Sequence, residues 1–128
     1  MFQAAPDPAA AMLREAHGLV LRGWCRRAQA RDGAGSAVPA WSEDASSWSV
    51  LGALLASWHR EQGGGLDVDV VAHSVDARAL GDATAALGEA AGTASLEQWN
   101  DEPERTLAEV TAAIDRAVEL LERSRRWS

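Results

Sequence analysis

Four side chains able to do chemistry fall within one short stretch of this 128-residue chain, Trp99 to Arg105 of the segment WNDEPERTLAEV. Asn100 offers both a donor and an acceptor, Asp101 a carboxylate, and Arg105 a planar fork suited to a substrate carboxylate or a peptide carbonyl. Trp99 can wall the same corner. The competing reading uses the same residues structurally: Asn and Asp cap turns, Arg105 ties down Asp101 or a helix end, and Trp99 plugs the core. Trp24, Trp41, Trp48 and Trp58 carry the same ambiguity, as core residues or as a stacking platform.

Other chemistry has little to stand on. There is no G-x-S-x-G, H-E-x-x-H, Walker-type or dinucleotide-binding glycine motif, and no paired C-x-x-C. Cys25 is the single cysteine, which leaves no intrachain disulfide and no cysteine-based zinc site. His17, His59 and His73 fall on three different expected helices, so no metal is expected. A net charge of −7 argues against a protein that tracks nucleic-acid phosphates. Every basic residue is arginine. No apolar run approaches the ~20 residues that span a bilayer, and the first ten residues lack the positive start of a signal peptide. The sequence therefore predicts a cytoplasmic protein with neither a nucleic acid nor a membrane as partner.

The elements that must position the corner are read from capping and periodicity. Thr106 and Glu109 form a T-x-x-E capping box, so a helix is expected to begin at Leu107 and run to about Arg125. Its apolar positions are Leu107, Val110, Ile114, Ala117, Val118 and Leu121. Asn100, Asp101 and Pro103 before that cap predict a turn. A first helix is expected from Pro8 to Ala30, with Gly23 as a bend or close approach and a basic second half, Arg22 to Arg31, near a pocket mouth. A loop follows over 32–40. Ser42 is expected to cap a second helix running to about Gln62 with the stripe Trp48, Leu51, Leu55, Trp58. Two shorter helices divided near Gly81 are expected between Asp67 and Ala91, a strand over 66–71 being the alternative. The resulting expectation is a single all-α domain, a compact bundle of about five helices. Its regular seams on the first and last helices, with Gly23 and Gly52, also fit a homodimer.

RGWC at 22–25, SVLGAL at 49–54 and WNDEPERTLAEV at 99–110, in that order, resemble a group of small actinobacterial helical proteins mostly without assigned function. Many members of that group carry a cysteine where this chain has Ser49, so any thiol role there is lost. The activity associated with proteins of this size and look is lysinoalanine formation in cinnamycin- and duramycin-type lanthipeptide clusters. The resemblance implies a homodimeric enzyme without metal or cofactor that adds a lysine amine to a dehydroalanine of a peptide substrate.

Such a reaction needs a neutral amine, although a lysine is ordinarily protonated up to a pKa of ~10.4, and donors for the developing enolate. Under this reading Asn100 and Arg105 would bind peptide carbonyl or carboxylate groups and Asp101 would orient them, with His59 or Glu97 as the candidate for proton transfer. Asn100, Arg26 and Arg105 would supply donors, and Trp24, Trp48 and Trp99 the walls of a dry pocket. Most of the acceleration would come from holding amine and alkene together, which needs no familiar motif. The alternative is a non-catalytic helical dimer that binds a peptide or protein partner in an apolar groove.

Overall fold

A computed structural model describes residues 7–61 and 70–126. Helix α1 spans Pro8–Arg22, opened by the Asp7 side chain accepting from Ala9 N and by proline at its first position. It ends eight residues short of the expected Ala30. The chain turns extended at Gly23 because it has to run beside residues 46–48: a Cβ at Gly23 would lie 2.2 Å from the Ser46 carbonyl oxygen. Trp48 N donates to Gly23 O at 2.9 Å and Cys25 N to Trp48 O at 3.1 Å. The following segment forms β1 (Ala30–Asp32), β2 (Ala37–Val38) and β3 (Ala45–Trp48), an antiparallel sheet in the order β2-β1-β3. The molecule is thus mostly helical with a small sheet, not purely α-helical.

Ser42 caps no helix; it sits in the turn before β3. Helix α2 (Val50–Glu61) starts instead at Ser49, whose hydroxyl accepts from Gly52 N at 3.0 Å. This shift moves Trp48 from a helical stripe to the end of a strand. It also rotates the buried face of α2 onto Val50, Ala53, Leu54 and Ser57, leaving Leu51, Leu55 and Trp58 half-buried. Helix α3 (Val70–Ala91) runs unbroken through Gly81. The competing strand over 66–71 falls largely outside the described residues; Val70 and Val71 are helical.

Helix α4 (Leu96–Asp101), capped by Ser95, takes in Asn100 and Asp101, so the expected turn falls just after it, over 102–105, where Arg105 N donates to Glu102 O at 3.0 Å. Helix α5 (Leu107–Arg126) begins where the capping box puts it. Glu109 N donates to the Thr106 hydroxyl at 3.2 Å, and Thr106 N donates to the Glu109 carboxylate at 3.0 Å.

Helix α1 lies at the centre, against α5, α2 and α3. Met12, Leu13, Val20, Leu54, Leu87 and Ile114 are fully buried there. Each such side chain contributes roughly 1.5–3 kcal/mol by leaving water. The seams of α1 and α5 that pointed to a dimer are filled within the chain. Among the described residues Leu21 and Trp41 are the exposed large hydrophobics.

Candidate functional site

Asn100 lies in the last turn of α4, fully buried, and its amide joins three segments distant in sequence. Its Oδ1 accepts from Trp24 Nε1 at 2.8 Å and from Val50 N at 2.9 Å. Its Nδ2 donates to Cys25 O at 3.1 Å and to Asp101 Oδ1 at 3.2 Å. One acceptor and both N–H groups are engaged inside the protein, so Asn100 holds the first strand-like segment to the start of α2.

Arg105 is anchored in a similar way. Its guanidinium stacks on Trp99 at 4.1 Å, donates from Nε to Trp99 O at 3.0 Å and pairs with Glu109 at 3.2 Å. The Arg105 carbonyl accepts from Arg26, whose guanidinium stacks on Trp24 at 4.4 Å. Arg26 Nε is buried without a hydrogen-bond partner. Trp99, Arg105 and Glu109 border a shallow depression apart from the cleft described next.

Asp101, one residue on, opens onto a cleft of about 380 Å³ lined by Arg27, Ala28, Gln29, Ser49, Leu51 and Glu97. Glu97 and Asp101 are four apart on α4 and so share its exposed face. The opposite wall is the 27–29 segment, drawn against α2 because Ser49 N donates to Gln29 O at 3.0 Å. Only glycine admits that approach: a Cβ at Gly52 would lie 1.8 Å from the Gln29 oxygen. Across Leu51 and Glu97 the cleft continues into a cavity of about 620 Å³ beside Thr84, Ala85, Gly88 and Thr93. Both volumes are in the range of small-ligand sites.

The remaining candidates are dispersed. His59 lies on another face, stacked at 5.5 Å on Trp41, which is 49% exposed and therefore not a core residue. Trp48 is buried with its Nε1 donating to Ala40 O at 3.1 Å. Trp24 is half-buried through its bond to Asn100. The structure thus brings Glu97 and Asp101 to one cleft and leaves Trp24, Arg26, Trp48, His59, Trp99 and Arg105 outside its lining. Burial pushes the Cys25 thiol up from its ordinary pKa, which disfavours the thiolate. Among the described residues no cluster of His, Cys, Asp or Glu has metal-binding geometry, and no helix is long and apolar enough to cross a membrane.

Arg27, Gln29, Ser49 and Leu51 were not site candidates from sequence. The basic tract from Arg22 to Arg31 was the one pointer toward them. The others are placed by the sheet, whose strands carry no clear alternation.

A mostly helical domain with a three-stranded sheet and, among the described residues, a groove with an acidic wall is the class these features define. Residues 4–120 match DUF6197, a family of unknown function, and the chain belongs to that family. No curated protein and no solved structure matches it.

Proposed function

We propose that the groove between the 27–29 segment and α4, continued along α3, binds a short peptide segment bearing a primary amine. The observation that carries this reading is the pairing of Glu97 and Asp101 on the wall of an open cleft that continues into a cavity lined by small residues. The carboxylates suit an ammonium group, while Ala85, Gly88 and Ala94 let a peptide backbone lie close. The chain contains no lysine of its own, so a lysine amine in this groove belongs to the ligand.

In its stronger form, which the resemblance to lysinoalanine-forming proteins supplies, the groove also closes a ring. The lysine amine gives up one proton, its nitrogen bonds to the methylene carbon of a dehydroalanine, and a proton is added at the α carbon. One N–C bond replaces one C=C π bond, and nothing is oxidised or released. A cleft carboxylate is a weak base for this amine, so the chief contribution of the protein is to hold the two groups together. The non-catalytic peptide-binding reading is favoured by the corner itself: Asn100 and Arg105, the donors it would offer an enolate, are spent on internal bonds.

Titration with Nα-acetyl-lysine N-methylamide against its norleucine counterpart tests binding. A preference of about tenfold for lysine, roughly 1.4 kcal/mol, is expected, and its loss in Glu97→Gln. Equal binding of the two probes would remove the amine reading. A synthetic peptide carrying both lysine and dehydroalanine tests the reaction. Ring closure leaves the mass unchanged, so thiol labelling of residual dehydroalanine followed by mass spectrometry reads it; undiminished labelling would leave a binding module. Sedimentation over a range of concentrations tests the homodimer that accompanies this reading, and a monomer throughout would remove it.

A further inference from the structure

We infer that Arg27 is a carboxylate clamp, so that the ligand of the groove carries a carboxylate beside its amine. The inference rests on the amine-binding reading above and adds the second half of the ligand. Among the described residues Arg27 is the one non-glycine position with positive φ, +63°. An L side chain is strained there, and arginine, unlike Asn or Asp, has no local hydrogen bond that favours the conformation. The surroundings impose it instead. Arg27 N donates to Asp101 Oδ1 at 2.8 Å, the same oxygen accepts from Asn100 Nδ2 at 3.2 Å, and Asn100 is fixed by Trp24 and Val50. Backbone strain that the neighbours over-determine clusters at active sites and ligand clamps, which makes Arg27 a candidate for such a role.

The side chain is unspent. Its neighbours Arg26, Arg31 and Arg105 direct their guanidiniums at backbone carbonyls, whereas that of Arg27 makes no hydrogen bond or ion pair to the described residues. It lines the same cleft of about 380 Å³ as Glu97. A planar guanidinium binds a carboxylate through two parallel N–H···O bonds, and a cation with a carboxylate in one small cleft complements a ligand with the opposite pair. A chain-terminal carboxylate and an aspartate or glutamate side chain next to the amine-bearing residue present the same chemistry.

Two matched pairs of probes separate these sources: Nα-acetyl-lysine against its N-methylamide, and acetyl-Lys-Asp N-methylamide against acetyl-Lys-Asn N-methylamide. Each is titrated while the Gln29 and Ser49 amide resonances are followed. The parent protein should bind the acid of at least one pair about tenfold more tightly, and which pair responds identifies the source. Arg27→Gly, which suits the observed φ, should bring acid and amide within twofold of each other while remaining folded, with a melting temperature close to the parent's. Arg27→Lys, which keeps the charge and loses the fork, should retain part of the preference. Equal binding of acid and amide by the parent, or an undiminished preference in Arg27→Gly, overturns the clamp. Norleucine versions of the same pairs keep the two readings apart: if lysine and norleucine bind alike, the amine reading falls, and the acid-to-amide ratio still reports on Arg27.

Discussion

Asn100 and Asp101 are consecutive residues at the end of α4, and they serve opposite sides of it. Asn100 is fully buried, with its oxygen and both N–H groups bonded to Trp24, Val50, Cys25 and Asp101. Asp101 reaches the surface, fixes the backbone of Arg27 and lines the cleft with Glu97. Polar residues that look equally chemical in sequence therefore divide by whether their hydrogen-bonding capacity is consumed within the fold. The consumed set, Asn100 and Arg105, holds the corner together; the unspent set, Arg27 and Glu97, lines the cleft.

The largest expected effect breaks the first of these sets. Asn100→Ala leaves Trp24 Nε1, Val50 N and Cys25 O buried without partners, each costing about 1–3 kcal/mol. The variant should lose about 3 kcal/mol or more in chemical denaturation, among the heavier single-residue losses. A loss below about 1 kcal/mol would mean that water replaces the amide and that the corner is not the fold's clasp.

How far these two sets were legible in the sequence follows from the range of the contacts. The start of α5 was readable because Thr106 and Glu109 satisfy each other within one turn, and the buried positions Val110, Ile114, Ala117 and Leu121 repeat with the helix. The sheet was not. Its strands are two to four residues long and are held by partners far along the chain, such as Ala30 opposite Trp48. Once β3 replaces the first turn of the expected second helix, Leu51 moves from a core stripe to the cleft floor. Asn100 appeared as a turn residue because its neighbours are Asp101 and Pro103, while its partners lie up to 76 positions away.

A smaller effect is expected at the capping box, which shares Arg105 with the corner. Thr106→Ala should cost about 0.5–2 kcal/mol through the lost cap. The Glu109 carboxyl is held below its ordinary value, chiefly by accepting from Thr106 N and further by the Thr106 hydroxyl and Arg105. A folded-state pKa below the unfolded one stabilises the protein above the unfolded value, near ~4.3, and that contribution is lost as pH falls through the folded value. The melting temperature of Glu109→Gln should therefore fall below the parent's at neutral pH and converge on it in acid. Thr106→Ala should keep most of that acid dependence, because the backbone N–H that dominates the shift remains. A gap between Glu109→Gln and parent that is constant with pH would show that the carboxylate does not tie down the helix start.

The smallest effect sharpens the second set. Placing a non-glycine residue in the left-handed region costs roughly 1–2 kcal/mol, so Arg27→Gly recovers about that much in the folded state. Glycine also gives the unfolded chain more freedom, which costs about 0.5–1 kcal/mol on folding. The two nearly cancel, and Arg27→Gly should lie within about 1 kcal/mol of the parent. Arg27→Ala separates the contributions, since it deletes the same side chain and keeps the strain; it should be less stable than Arg27→Gly by about 1 kcal/mol. That order, glycine above alanine with both near the parent, is what a side chain free of the fold requires. If instead both variants lost 2 kcal/mol or more, the guanidinium would be holding the fold as Arg105 does. The contrast between the spent and unspent sides of α4 would then collapse, and Glu97 would remain as the cleft's single uncommitted charge.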